Sequence, residues 1–236
     1  MPFLIAPKLL KHFKGFCSSP EIIMLFVYMK CRFSLSYREL EEIAYLRGIA
    51  IDHSTLQRWI MKFVPIIDTQ VRKRKKPVGT SWRMDETYIK INGKWYYLYR
   101  AVDSSGWTIE FLLGKHRDKV AAKAFFRKAF KNNDRPDKVV IDKSGSNISA
   151  LAAANKDAEP DQKIIVLQNK YLNNIIEQDH RFIKKRTKPM LGFKSFASAK
   201  ITLTGIENIR MIQKGQIVAD DSHRYVFENF KMLMAS

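Results

Sequence analysis

The sequence predicts a two-part chain: an N-terminal helical bundle containing a helix-turn-helix, then an α+β or α/β part in which helices flank a mixed β-sheet. Three observations predict it. Apolar residues recur at helical spacing up to Pro65, the period changes to that of strands at Ser81, and short apolar strands then alternate with helical segments.

Composition bounds the rest. The 236 residues are 46% hydrophobic and 12% aromatic, enough to bury substantial cores. Forty-two Lys and Arg stand against 23 Asp and Glu, a net charge of +19, which suits a polyanionic partner. Cys17 and Cys31 are the only cysteines and show no Cys-x-x-Cys spacing, which argues against a disulfide framework or a zinc site. The longest apolar run, Ile22 to Met29, is far shorter than the roughly 18 residues of a membrane span. Phe3, Leu4 and Ile5 precede Lys8, Lys11 and Lys14, the wrong order for a secretory signal. A soluble cytoplasmic protein without a membrane partner is expected.

Ser19-Pro20-Glu21 supplies a cap, a first-turn proline and a first-turn acid for a helix to about Cys31. Ser36-Tyr37-Arg38-Glu39 reads as a capping box opening a second helix, with Tyr37, Leu40, Ile43, Ala44 and Leu46 inward and Gly48 at its end. Asp52 caps a third, from His53 through Phe63, burying Leu56, Trp59, Ile60 and Phe63. Two helices joined by a glycine turn form a helix-turn-helix. Outward on the second lie Ser54, Thr55, Gln57 and Arg58, residue types that bond base edges and phosphates in a major groove; helical bundles also produce such shapes. The first domain is placed at residues 1–66. Residues 67–80, with the run Arg72-Lys73-Arg74-Lys75-Lys76, read as a basic linker, and residues 81–236 as the second domain.

In that domain Ser81 to Ile91, Lys94 to Asp103 and Trp107 to Leu113 read as an antiparallel meander, with Asn92-Gly93 and Ser104-Ser105-Gly106 as turns. Trp82, Trp95 and Trp107 are expected in the core, although aromatic side chains also stack on unpaired bases. Asp118 opens a helix to about Lys131 that packs through Val120, Ala121, Ala124, Phe125, Ala129 and Phe130. Lys138 to Asp142 and Lys163 to Leu167 are short strands, and Ser144 to Asn155 and Ser195 to Gln213 are helices.

Tyr171 to Lys188 reads as a helix with a polar side made of Asn173, Asn174, Glu177, His180, Arg181 and Lys184. Leu172, Ile175, Ile176, Phe182 and Ile183 form its apolar side, and Asp179 sits awkwardly near the latter. Glu177 either pairs with Arg181 on the surface or holds a cation while the bases hold phosphates. The first and fourth strands can be neighbours, which would bring Asp85 and Asp142 together with Glu177 over them. Three such carboxylates suit divalent cations and phosphodiester chemistry. Glu86 points to the face opposite Asp85, and alternation alone leaves open which of the two is inward; Asp103 is adequately explained as a turn residue.

The segments MDETYIKINGKWYYLYRAVD, VVIDKSG and KYLNNIIEQDHRFIKKR, followed by LGFKS and TLTGIE, resemble the insertion-sequence-six family of bacterial DDE transposases. The resemblance runs from SYRELEEIAYLRGIAIDHSTLQRWI to the KGQ at Lys214. Many members carry Thr-Asp-x-Ala-Pro where this chain has Ile141-Asp142-Lys143-Ser144-Gly145. The resemblance implies an RNase H-like catalytic domain with a triad of Asp85, Asp142 and Glu177 that holds Mg2+ or Mn2+. It also implies recognition of terminal inverted repeats, nicking and strand transfer into target DNA, and a homodimer or larger synaptic complex, associated with the bacterial nucleoid. Lys184 matches the basic position that follows the glutamate, and Lys184 and Arg181 are the residues expected to hold phosphates near the scissile bond.

Overall fold

The computed structural model describes residues 4–142, 145–156, 158–169, 172, 174–190, 192–217 and 225–235. The chain divides into two compact units: Met1–Lys76 with Lys188–Ser236, and Pro77–Thr187.

The first unit is helical. Helix α1 spans Pro7–Leu10, α2 Pro20–Arg32, α3 Tyr37–Leu46 and α4 His53–Arg74; after the second unit come α8, Phe196–Gln213, and α9, Val226–Ala235. The expected caps are in place. The Ser19 side chain accepts from the Ile22 N–H, Ser36 and Glu39 form a reciprocal capping box, and Asp52 accepts from the N–H groups of Ser54 and Thr55. Gly48 follows α3 at φ +68°, the left-handed geometry glycine adopts at little cost.

This unit corrects the expected boundaries. Helix α4 does not end at Phe63, nor at the domain boundary placed after residue 66, but runs on through Pro65 to Arg74. A proline there forfeits one backbone hydrogen bond, yet Val64, Ile67 and Val71 are buried beyond it and hold the helix to its neighbours. The basic run is therefore mostly helical. Its end is docked as well: the Lys76 N–H donates to the Gln216 carbonyl at 2.9 Å and Lys76 Nζ to that of Gly215 at 2.9 Å. Helix α8 packs against α4 and α2 through Leu203, Ile206, Ile209 and Ile212, so residues 188–236 complete the helical unit instead of the sheet unit. Within α3, Leu40 and Ala44 are buried as expected, whereas Leu46 is exposed because α3 buries only a narrow stripe.

The second unit is a five-stranded mixed sheet in the order β3-β2-β1-β4-β5, an RNase H-like arrangement. Strand β1 spans Ser81–Ile91, β2 Lys94–Asp103, β3 Thr108–Gly114, β4 Lys138–Ile141 and β5 Ile165–Gln168; helix α5 spans Lys119–Asn132, α6 Gly145–Lys156 and α7 Asn174–Thr187. The first three strands are antiparallel, and β4 runs parallel to both β1 and β5. Asn92 and Gly93 both have positive φ, 46° and 77°, as the tight β1–β2 hairpin requires.

Trp82, Met84, Tyr99 and Ala101 from the sheet meet Ala122, Phe125, Phe126 and Ala129 of α5 in the core. The buried stripe of α5 thus differs from expectation: Ala122 and Phe126 are inward, and Val120 is 75% exposed. With Asp118 as cap, positions 122, 125, 126 and 129 follow the i, i+3, i+4, i+7 spacing of one helix face. Trp95 is a second difference, at 58% exposed on a part of the hairpin that reaches past the core. Asp103 is the expected turn residue, accepting from the N–H groups of Gly79, Ser105 and Trp107. Tyr171 and Asn173, expected in α7, and Lys143 and Ser144 lie outside the described residues.

Candidate active site

Strand β4 pairs with β1 only from Ser81 to Arg83. Past Arg83, β1 continues with β2 on one side and nothing of β4 on the other, so Asp85 and Glu86 stand at an open strand edge beside the end of β4. Asp142 follows that end directly. Successive residues of a strand point to opposite faces, but at an open edge two side chains can converge around the strand. One carboxylate oxygen from each of Asp85, Glu86 and Asp142 lies within 4.8 Å of the others.

The two neighbours are held differently. Asp85 faces α7, where its Oδ2 lies 3.5 Å from His180 Nδ1. Glu86 faces α6 and the segment just before α5: Asn147 Nδ2 of α6 donates to its Oε1 at 2.9 Å, and Arg117 Nη2 to its Oε2 at 3.2 Å. The same Arg117 nitrogen donates to Asp142 Oδ2 at 3.3 Å, so one guanidinium bridges two of the acids.

The electrostatics are those of an anion cluster short of positive charge. Burial, with like charge from Glu86 and Asp142, pushes the Asp85 carboxyl up to about 7. Burial also raises Glu86, against the bonds from Asn147 and Arg117. His180 is held down to about 3, first by burial and then by Arg100 and Lys184, so it is a neutral imidazole beside Asp85. Behind it, Arg100 Nη2 of β2 donates to Asp179 Oδ2 at 2.6 Å, with both side chains buried. This ion pair explains the acid that looked misplaced on the apolar side of α7.

Of the residues expected at the site, Asp85 and Asp142 are brought together. Glu177 is exposed on the first turn of α7, outside the three-acid group. It stands three residues, about 4.5 Å along the axis, before the His180 that touches Asp85. His180 itself was expected on the polar side and is instead buried with Ile176, Asp179 and Ile183, because the sheet-facing stripe of α7 is 176, 179, 180 and 183. Arg181 and Lys184 are exposed, as expected.

In the helical unit, Gln57 and Arg58 are exposed on α4. Thr55 Oγ1 donates to Asp52 Oδ2 at 2.7 Å and accepts from Arg58 Nη2 at 2.7 Å, and Ser54 Oγ also donates to Asp52. Those hydroxyls are engaged with the cap, and Arg58 is the residue they orient.

Arg117 and Asn147 carried no signal of their own in the sequence. Each reaches the acids only through the packing of α5 and α6 beside β1. Glu86 was visible as the neighbour of Asp85, but alternation alone kept it on the other face.

Hard oxygen donors from two or three carboxylates, crowded until one of them favours its proton near neutrality, fit a divalent cation, which would relieve the repulsion. Asp85, Glu86 and Asp142 are the side chains whose oxygens lie close enough together to hold it. No helix among the described residues is long and apolar enough to cross a membrane.

Residues 79–216 match the model of a DDE domain family. The chain is 42% identical over 196 residues to the transposase for insertion sequence-like element IS431mec of Staphylococcus aureus, covering 82% of this chain and 85% of that one. It is equally similar, at 42% over the same coverage, to the Staphylococcus aureus transposase for insertion sequence element IS257 in transposon Tn4003. Among solved structures it is similar to the HTLV-2 integrase catalytic core domain in complex with magnesium. The identity there is 15% and the TM-score 0.44, covering 66% of this chain and 99% of that one.

Proposed function

Because the chain belongs to the DDE transposases of bacterial insertion sequences, within the insertion-sequence-six family, we propose that it binds the terminal inverted repeats of its element and carries out nicking and strand transfer at Asp85, Asp142 and Glu177. The observation that carries this reading is the convergence of Asp85 and Asp142 at the end of the β1–β4 pair, inside the segment that matches the DDE domain. A bound Mg2+ or Mn2+ supplies activation of the attacking water or 3′-hydroxyl and stabilisation of the leaving oxygen.

The chain's own residues do the positioning. Asp85 and Asp142 present oxygen ligands from two adjacent strands, whose backbone pairing holds them in register. Glu177 joins from α7, one turn before the His180 that packs on Asp85. Glu86 is committed to Asn147 and Arg117 and so forms the wall of the site. Arg181 and Lys184, on the next turn of α7, hold phosphates near the scissile bond. On the helical unit Gln57 and Arg58, with Ser54 and Thr55 at the same helix start, contact the repeats. Two ends must be joined, so the working form is a homodimer or larger synaptic complex, acting on nucleoid DNA in the cytoplasm.

The test is strand transfer with purified protein, labelled DNA carrying the element's ends, a supercoiled target and Mg2+ or Mn2+. Joined product that disappears with Asp142→Asn and with Glu177→Gln supports the reading. Product that survives Glu177→Gln but is lost with Glu86→Gln moves the third ligand to Glu86. Specific binding of the ends with no joined product from the native chain refutes the catalytic role.

A further inference from the structure

One face of the β1–β2 hairpin carries an aromatic surface that packing does not explain. On β1 that face presents Trp82, Met84, Glu86, Tyr88 and Lys90, and the register sets opposite them Asp103, Ala101, Tyr99, Tyr97 and Trp95. The series starts in the core, where Trp82 and Tyr99 are fully buried and Tyr99 stacks on Phe125 of α5. At Glu86 it reaches the acidic group. Past Glu86 it comes into the open: Tyr88 is 52% and Trp95 58% exposed, with Tyr97 half-buried between them.

The exposed rings are ordered against one another. The Tyr88 centroid lies 5.4 Å from that of Tyr97 and 6.1 Å from that of Trp95, the latter pair edge-on at 80°. Lys90 Nζ stands 5.9 Å from the centre of the Trp95 ring. A patch of this kind, large rings half in solvent, marks an interaction surface more often than bare stability.

Charge narrows the partner. From Thr87 to Leu98 the hairpin holds Lys90 and Lys94 and no acidic residue, and both lysines are exposed at its tip. Rings interleaved with cations suit a single-stranded nucleic acid, whose bases stack while its phosphates pair with the lysines. Position fits as well. Tyr88 is two residues past Glu86 on the same face, about 7 Å along the strand, and the Lys90–Trp95 rung is one further step away. Bases inside a duplex are already stacked on each other, so only bases that have left it can use these rings.

We propose that Tyr88, Trp95 and Lys90 form a stacking platform for unpaired bases next to the acidic group, holding a frayed or flanking single strand as the adjoining phosphodiester lies at the carboxylates. This rests on the transposase reading above for the identity of the strand as DNA.

The test compares two labelled duplexes of arbitrary sequence and equal length, one blunt and one with a five-nucleotide single-stranded overhang, each titrated with the full chain in metal-free buffer. The native chain is expected to prefer the overhang by about tenfold or more, given that stacking on one aromatic side chain is worth about 1–3 kcal/mol per base. Tyr88→Ala/Trp95→Ala loses that preference and leaves blunt-duplex affinity unchanged, while Trp95→Phe keeps most of it. Equal loss on both duplexes, or no loss on either, overturns the platform. So does a change of oligomeric state in the double variant with the overhang preference intact, which assigns the face to a second copy of the chain. If the native chain binds both duplexes equally but joins DNA ends in the strand-transfer assay, this inference alone fails. If it binds no DNA, the transposase reading fails with it.

Discussion

Removing the buried carboxylate of Asp179 tests the account of how α7 is held over the sheet. The Arg100 side chain is 0% and that of Asp179 5% exposed, and their 2.6 Å contact ties β2 to the helix that carries Glu177 and His180. The two partners are not equivalent. A guanidinium cannot shed its proton in a protein, so Asp179→Ala leaves a permanent charge in the interior without that carboxylate, at a cost of about 3–5 kcal/mol. Arg100→Met leaves a carboxyl that can take up a proton, and should cost less at pH 5 than at pH 8. Replacing both, Arg100→Met with Asp179→Ala, removes charge and countercharge together and should recover part of the single-variant loss. Urea unfolding of the four proteins, followed by the fluorescence of Trp82 and Trp107, gives the double-mutant cycle. A loss under about 1 kcal/mol for Asp179→Ala, or a double variant no more stable than the singles, would refute the reasoning.

Gly205→Ala should destabilise the helical unit by about 1–3 kcal/mol or more, because its new methyl would collide with Cys31 Sγ and stand 3.2 Å from Val64 Cγ2. Cys31→Ala in the same chain should restore part of the thermal stability. Arg117→Ala removes the cation that bridges Glu86 and Asp142. Arg117 is 37% exposed but its partner Glu86 only 2%, so the metal-free cost should be about 1–3 kcal/mol. Mn2+ should then bind about tenfold tighter by calorimetry, since no resident charge has to yield; equal affinity would contradict the bridging role. Lys30 is buried beside Cys31 and Tyr37, its amine 2.5 Å from the Leu35 carbonyl, and burial lowers it from 10.5 to about 8. The unfolded chain therefore holds this proton up to about pH 10.5 and the folded chain only to about 8. The native stability relative to Lys30→Met should rise by up to about 3 kcal/mol between those pH values, and a flat difference in melting experiments from pH 7.5 to 10.5 would count against it.

The sequence by itself determined two of the acids and the elements from α2 to α8, but not α1 or the further helix α9 beyond Gln213. Caps at Ser19, Ser36, Asp52 and Asp118, the Asn92-Gly93 turn and the switch from helical to strand period are local signals. Their physics acts within a few residues, so each survived into the fold. Asp142, at the end of an apolar strand, was visible for the same reason. What the tertiary structure alone decided depends on residues far apart in the chain. Pro65 reads as a break because its lost hydrogen bond is local, while the burial of Val64, Ile67 and Val71 that outweighs it comes from distant helices, α8 among them. Helical periodicity does not say which stripe of α5 or α7 meets the sheet, and it was the packing that turned Phe126 and His180 inward. Asp179 looks misplaced until Arg100, 79 positions earlier, arrives beside it. The group of Asp85, Glu86 and Asp142 exists only because β4 pairs with β1 as far as Arg83 and then stops, opening an edge that both faces of β1 can reach.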